Sequence, residues 1–250
     1  MSAPARVSPS HAVVAESRIA LAAALRAAAL YGFNEGIDNH FSLVVPGTDD
    51  RFLLNSSGPH WSEMRASDLL TVDLEGRVVE GDGTWKRSAF VIHYAAHRAR
   101  ADACCVLHTH MPYATALAMT EGGLETRASQ NSMLFHGRIA RLSYGGVANA
   151  EQEGERIAGA LRDGISVVML DNHGTLVVGS SVADAWYRLY FLERACQAQV
   201  LAQSTGSPLR LVPEDVAAHT AAQWDAAGGA EALFAAVRRQ LDREMPGYAD

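Results

Sequence analysis

The sequence predicts an α/β protein in which helices cover a single mixed β-sheet. Short apolar runs typical of strands alternate along the chain with longer segments of helical periodicity, and this alternation is the pattern of α/β domains. Several neighbouring strands are separated only by turn residues, which indicates antiparallel hairpins. No linker separates two apolar regions. Residues 13–250 are therefore expected to form one domain behind a flexible N-terminal arm of residues 1–12.

The first half of the chain supplies one long helix and two strand pairs. Residues 13–31 are alanine-rich and apolar, and Gly32 follows where such a helix would end. Two pairs of short strand-like runs come next, each pair separated by a turn, at 41–45 with 51–54 and 69–73 with 77–80.

Helices and buried strands alternate in the second half. Apolar residues recur at helical spacing from Ser88 onwards. Two continuous apolar runs, at 103–107 and 166–170, are typical of strands buried on both faces, and a further strand is predicted at 175–178. The remaining helices are predicted at 111–119, 154–161, 182–204 and 213–241, the last with a break near the Gly228-Gly229 pair.

Composition limits the classes of function. The formal net charge of −7 argues against a nucleic-acid binder that rests on a broad basic surface. We find no apolar run near the roughly 18 residues of a membrane helix. The three cysteines are odd in number and lie in apolar segments, which favours free thiols in a reducing compartment. A cytoplasmic protein without nucleic-acid or membrane partners is therefore expected.

Two of the ten histidines directly follow the apolar run at 103–107. His108 and His110 are two residues apart, so on a strand they point to the same face. They lie at the end of a central strand, where α/β sheets commonly bind ligands. Two histidines buried and satisfied by hydrogen bonds are the ordinary alternative.

A third histidine follows the other buried run in the same way. The sequence Asp171-Asn172-His173-Gly174 begins where the run at 166–170 ends. If the two strands are neighbours, His173 completes a three-histidine site. Three imidazole ligands with open coordination positions suit Zn, Mn, Fe or Co.

The helix that begins near Ser88 offers a rival pair. His93 and His97 are four residues apart and share a helix face. Tyr94 stands where the zinc-protease motif requires Glu. The pair is therefore predicted to be buried beneath the sheet rather than to bind metal.

Five segments in order resemble the class II aldolase/adducin family over roughly residues 13–206. His108-Thr109-His110 and Asn172-His173-Gly174 match the two metal motifs, and a long helix follows the second, as in that family. The other three segments match substrate-binding loops: the first at residues 31–42, the second at 54–58 and the third at Arg87-Ser88.

The resemblance implies a three-layer α/β/α domain around a mixed, largely antiparallel sheet of about nine strands. It also implies one divalent metal ion on His108, His110 and His173, and a homo-oligomer, most often a tetramer. The residues implied for substrate binding are Asn39 and His40 in the first loop, Ser57 and Gly58 in the second with His60 after it, and Arg87 and Ser88 in the third.

One departure from the family bears on the reaction. The sugar-phosphate aldolases carry a catalytic Glu on the helix before the His-x-His motif, and that position falls on Ala89. An alanine cannot move a proton. The nearest carboxylates along the chain are Glu80 and Asp82, upstream in a loop.

These residues favour decarboxylation of a small oxygenated or hydroxyaromatic carboxylate held by the metal, because this reaction needs an electrophile more than a strong base. His40, His60 or Tyr113 would return a proton to the substrate carbon. Three other hypotheses remain open: retro-aldol cleavage with a different base, an Fe(II)-dependent oxygenase, and a non-enzymatic adducin-like interaction module.

Overall fold

The structure is a computed structural model that describes residues 11–146, 151–162 and 164–250. Within these residues eight strands form one sheet in the order β4-β3-β2-β1-β5-β8-β7-β6. Every pairing is antiparallel except β6 with β7, which is parallel. The strands are β1 (His40–Val44), β2 (Arg51–Asn55), β3 (Leu69–Asp73), β4 (Val78–Glu80), β5 (Cys105–Thr109), β6 (Ile139–Leu142), β7 (Val167–Leu170) and β8 (Gly174–Gly179).

Helices cover both faces of this sheet, which confirms the predicted three-layer α/β/α class. They are α1 (His11–Tyr31), α2 (Arg87–Ala99), α3 (Pro112–Ala118), α4 (Gln130–Met133), α5 (Glu151–Ala160), α6 (Val182–Gln203), α7 (Glu214–Ala227) and α8 (Ala230–Glu244). One apolar core packs α2 and α5 against the sheet. A larger core packs α1, α3, α6 and α8 against the opposite face.

Alternation along β5 shows how the sheet separates the two cores. Cys105 and Leu107 belong to the larger core, and Val106 belongs to the core beneath α2 and α5. His108 follows Val106 by two residues, so its ring lies on the α2 side of the sheet. The same alternation on β1 places Phe41 and Leu43 in the larger core and directs His40 and Ser42 towards α2.

Most predicted elements are present, with shifts at their ends. The strand at 69–73 matches β3 residue for residue, and the break at Gly228-Gly229 separates α7 from α8. The described residues contain eight strands rather than about nine. Residues 1–10 of the predicted arm lie outside the described residues, and α1 begins at His11.

In the described residues, no helix combines the length and the apolar character that crossing a membrane requires. The three cysteines form no disulfide bond. Cys105 and Cys196 are buried and Cys104 is half-buried.

Candidate metal centre and active site

Three histidines converge where β5 ends and β8 begins. His108 is in β5, His110 follows that strand, and His173 lies in the turn between β7 and β8. One ligand atom from each of the three rings lies within 4.8 Å of the other two. The two strands predicted at 103–107 and 166–170, which correspond to β5 and β7, are not neighbours in the sheet, however. β8 lies between β5 and β7, and its antiparallel pairing with β5 brings His173 to the other two.

The backbone around His173 fits this arrangement closely. Asn172 adopts a left-handed conformation with φ 57°, which Asn tolerates better than most residues. Gly174 lies so close to the end of β5 that an added Cβ would stand 2.5 Å from the Thr109 carbonyl oxygen and 2.7 Å from Cδ2 of His110. The Asn-His-Gly sequence therefore supplies both the turn and the space that the cluster needs.

Hydrogen bonding leaves the three rings with nitrogen atoms available to a metal ion. His108 donates from Nδ1 to the Thr175 carbonyl oxygen at 3.0 Å, so its Nε2 carries the lone pair. The Nε2 atom of His110 is buried without a hydrogen-bond partner. Burial lowers the pKa of His173 to about 4 and holds the pKa of His108 well below its usual value. Neutral imidazoles are the form that binds metal ions.

A fourth histidine stacks on this cluster. His40 is the cross-strand partner of His108 in the β1–β5 pairing, and their ring centroids are 4.7 Å apart. The Nδ1 atom of His40 is 2.7 Å from Nε2 of His93 on α2. Burial, together with the nearby His93, holds the pKa of His40 well below its usual value. His40 is thus a buried neutral imidazole beside the three-histidine cluster.

Asn39 joins the first loop to the end of β5. Its Oδ1 accepts from the backbone N–H of Glu35 at 2.7 Å and from that of His110 at 3.4 Å. Its Nδ2 is buried and has no hydrogen-bond partner. A buried donor of this kind normally has a partner, so the Asn39 amide has an N–H available for a further hydrogen bond.

The second loop contacts its neighbours through the backbone and through His60. Ser57 donates its N–H to the Thr84 carbonyl oxygen at 2.8 Å, which holds the loop bearing Ser57 and Gly58 against the third loop. The Nε2 atom of His60 lies 3.3 Å from the side-chain amide nitrogen of Asn34 in the first loop. The structure therefore brings His60 to the first loop.

The third-loop residues and Tyr113 are placed differently. Arg87 lines a cleft of about 690 Å³ with Trp85, Phe90 and Tyr94, and helical spacing puts it on the opposite side of α2 from Ala89. Ser88 is half-buried in the first turn of that helix. The ring of Tyr113 packs against the larger core. Neither Arg87 nor Tyr113 is brought to the histidines.

Two carboxylates that act on the cluster were not predicted. Glu80 lies on the edge strand β4 and pairs with Arg18 at 2.9 Å, so it does not fold back towards the histidines. Glu35 and Asp38 in the first loop instead act on His110: burial lowers the pKa of its ring, and these two carboxylates oppose that shift.

Tyr144 is a further residue that sequence reasoning did not place at the site. Its ring stands edge-on to His173, with centroids 6.4 Å apart. The residue is 55% exposed, so it lies at the solvent side of the cluster. Its sequence signal is its position directly before the Gly145-Gly146 pair, which is typical of a turn.

A family model described as "Class II Aldolase and Adducin N-terminal domain" matches residues 19–200. The chain belongs to this family. A class II aldolase-fold structure from Pseudomonas syringae, an aldolase II superfamily protein, is 40% identical with a TM-score of 0.90 and covers 98% of both chains.

Two further relatives show the range of this class II aldolase/adducin family. L-fuculose 1-phosphate aldolase from Glaciozyma antarctica is 28% identical with a TM-score of 0.84, over 97% of this chain and 96% of that one. Alpha-adducin from Rattus norvegicus is 35% identical over 199 residues, which are 78% of this chain and 27% of the adducin.

The α2 helix distinguishes this member from the acid/base pattern expected of a sugar-phosphate aldolase. Its sequence from Arg87 to Ala99 contains no acidic residue. Ala89 is 2% exposed and stands one helical turn before His93. The inward face of the helix therefore presents imidazoles, rather than a carboxylate, towards β1.

Proposed function

We propose that this protein is a metal-dependent carbon–carbon lyase that decarboxylates a small oxygenated or hydroxyaromatic carboxylate. The single observation that carries the proposal is the neutral imidazole of His40 stacked on His108, opposite a helix whose inward face bears Ala89 and His93. The family supports a lyase, and this arrangement favours a reaction in which a neutral imidazole moves the proton over one that needs a carboxylate on α2.

The residues present fit one divalent ion. His108, His110 and His173 would hold it, because their ligand atoms lie within 4.8 Å of one another and the buried Nε2 of His110 has no other partner. Zn, Mn, Fe and Co all accept three imidazoles. When bound, the ion supplies an electrophile for a substrate oxygen and for the negative charge that develops as the bond breaks.

The chain's own residues bind the substrate and move the proton. Asn39 donates its unpartnered Nδ2–H to a substrate oxygen. His40 accepts a hydroxyl proton at Nε2, since its Nδ1 is engaged by His93, and returns the proton to the carbon that loses the carboxylate. Ser57 and Gly58 border the substrate, and His60 limits the entrance. The proposed site does not include Arg87, Ser88 or Tyr113.

Retro-aldol cleavage is the second candidate. The L-fuculose 1-phosphate aldolase, at 28% identity, shares the fold over nearly its whole length, and Glu35 and Asp38 lie near enough to His110 to affect its pKa. In that reaction one of the two loop carboxylates replaces the missing helix carboxylate as the base.

The products distinguish the two reactions. The zinc- or manganese-loaded protein is incubated with a panel of 2-hydroxy, 2-oxo and hydroxyaromatic carboxylates and of hydroxyaldehyde phosphates, and carbon dioxide and carbonyl products are measured separately. We expect carbon dioxide from a carboxylate, lost in His108→Ala and strongly reduced in His40→Gln. Carbonyl product without carbon dioxide, lost in Glu35→Gln or Asp38→Asn, would establish the aldolase instead.

Two further measurements, oxygen consumption and metal binding, test the remaining hypotheses. Oxygen consumption by the iron-loaded protein would indicate an oxygenase. An absence of metal binding would leave an adducin-like interaction module. We also propose that the protein is cytoplasmic and that it forms a homo-oligomer, most often a tetramer in this family. Sedimentation of the purified protein tests the oligomeric state.

A further inference from the structure

A continuous chain of hydrogen bonds runs from His40 to the backbone carbonyl of Ala103, which lies between α2 and β5. His40 Nδ1 meets His93 Nε2 at 2.7 Å, and His93 Nδ1 meets Ser42 Oγ at 2.5 Å. The same Ser42 oxygen meets His97 Nε2 at 2.7 Å. The last link joins His97 Nδ1 to the Ala103 carbonyl oxygen at 2.7 Å.

The carbonyl end of this chain sets its direction, because a carbonyl oxygen only accepts hydrogen bonds. His97 must therefore carry its proton on Nδ1, which leaves its Nε2 as an acceptor. Ser42 then donates its hydroxyl proton to His97 and accepts from Nδ1–H of His93. The Nε2 atom of His93 is in turn an acceptor, and His40 donates to it from Nδ1.

We propose that the Ala103 carbonyl, acting through His97, Ser42 and His93, fixes His40 in the Nδ1–H tautomer and leaves its Nε2 lone pair free beside the three-histidine cluster. Ser42, His93 and His97 are thus positioning residues for His40. The assignment of the tautomer rests on hydrogen-bond geometry alone. Its use for proton transfer rests on the proposed function.

Burial supports the assignment because it keeps the links neutral. Ser42 and His93 are fully buried, and burial lowers the pKa of His97 to about 4 and that of His93 well below its usual value. A neutral imidazole has one donor and one acceptor. Once one nitrogen of a ring is known to donate, the other must accept, and this fixes the roles in the next hydrogen bond of the chain.

The opposite direction is excluded by the last link. If His40 carried its proton on Nε2, a chain that keeps every other link would need each donor and acceptor to reverse. The Nδ1 lone pair of His97 would then face the lone pairs of the Ala103 carbonyl oxygen at 2.7 Å. Two buried acceptors would then face each other without a proton between them, and the hydrogen bond that His97 Nδ1–H donates to Ala103 would be lost.

The fixed tautomer offers a lone pair where the proposed reaction needs a proton acceptor. His40 stacks on His108 with centroids 4.7 Å apart, so its free nitrogen belongs to the same pocket as the cluster. The tautomer with Nε2–H would present a donor instead, and it could not take a proton from a substrate hydroxyl.

The test is ¹⁵N NMR of the full-length chain labelled at histidine, near neutral pH, before and after addition of Zn²⁺. The ring nitrogens of each histidine report directly which one is protonated, and His40→Gln assigns the signals of His40. We expect the Nδ1–H tautomer for His40 in the wild type. In Ser42→Ala the Nδ1–H of His93 loses its acceptor, the Ser42 hydroxyl oxygen. The tautomers of His93 and His40 are then no longer fixed, so the His40 Nε2 signal should shift towards the protonated value.

Ser166→Ala is the matched control, since Ser166 is also fully buried and lies outside the hydrogen-bonded chain. It should leave the His40 signals unchanged, as should Ser42→Cys to a large extent, because a thiol keeps a weak donor at that position. Circular dichroism confirms that each variant is folded.

The Nε2–H tautomer in the wild type, or His40 signals that are identical in folded Ser42→Ala, would overturn the proposal. The Zn²⁺ titration separates this result from the proposed function. If the tautomer is as inferred but the signals of His108, His110 and His173 do not respond to Zn²⁺, the metal-dependent lyase fails and the hydrogen-bonded chain stands.

Discussion

Gly174 lies directly against His110, so that a Cβ on the glycine would stand 2.7 Å from Cδ2 of the histidine ring. The same Cβ would be 2.5 Å from the backbone carbonyl oxygen of Thr109. A ring can turn away from such a contact, but a strand carbonyl in the centre of a sheet cannot. The close approach of β8 to the end of β5 is what lets residues so distant in sequence share one cluster.

Gly174→Ala should therefore disrupt the cluster. We expect a loss of about 1–3 kcal/mol in the free energy of unfolding, as for other overpacked interiors, and a fall in metal affinity of more than about tenfold, in line with changes around metal ligands. Denaturant unfolding and a metal titration measure the two effects.

The control for this substitution is Gly159→Ala in α5, where nothing lies within 4 Å of an added Cβ. That change should leave metal affinity intact and stabilise the helix by up to about 1 kcal/mol. Equal metal affinity in Gly174→Ala and Gly159→Ala would mean that the close approach is not required.

Glu193 holds the segment that follows the His-x-His motif. Its carboxylate on α6 accepts hydrogen bonds from the backbone N–H groups of Tyr113 and Ala114, at 2.9 and 2.8 Å. These groups open α3, whose N-cap residue Met111 has no side-chain cap of its own. The buried carboxylate thus replaces the usual cap and fixes the chain just beyond His110.

Glu193→Gln should lower the free energy of unfolding by about 1–3 kcal/mol, because the amide nitrogen would face a buried N–H donor. Equilibrium unfolding in urea measures the change. The same substitution at the exposed Glu155 should stay within about 0.5 kcal/mol of the wild type. A Glu193 variant as stable as the Glu155 variant would refute the capping role.

The buried histidines predict a loss of stability in mild acid. The pKa of His97 falls from 6.5 to about 4 because the ring is buried, so the unfolded chain takes up this proton at a higher pH than the folded one. The stabilisation is complete above pH 6.5 and is lost as the pH falls towards about 4.

Each such histidine adds up to about 1.4 kcal/mol per pH unit to the slope of stability against pH in this window. Urea unfolding of the metal-free protein at several pH values between these limits measures the slope. His97→Asn should reduce the slope of stability against pH by the contribution of one histidine. A stability that is constant or rises as the pH falls from neutrality would contradict this account.

The three-histidine cluster could be predicted because its signals are local. His108 and His110 follow one apolar run and His173 follows another, and strand ends are where a sheet places its ligands. The strand β8 was predicted as an element but not as the neighbour of β5, because the sequence of a short strand does not indicate which strands lie beside it in the sheet.

The chain from His40 to Ala103 could not be derived in the same way. It depends on the β1–β5 register, which pairs His40 with His108 across 68 positions, and on the rotation of α2 that directs His93 and His97 inwards. That rotation also turns Arg87 outwards. Distance along the sequence does not indicate which carboxylates lie near the cluster. Glu35 in the first loop lies near enough to His110 to affect its pKa, whereas Glu80 lies on the edge strand β4.

The metal content of the full-length protein tests the central claim most directly. After purification and loading with Zn²⁺ or Mn²⁺, elemental analysis should give about one ion per chain, as expected for a single set of three protein ligands with an open coordination position. His108→Ala should abolish this binding, and His97→Asn, which alters a half-buried histidine outside the cluster, should retain it. A wild-type protein that holds no ion after loading, or a His108→Ala variant that holds as much as the wild type, would contradict the account.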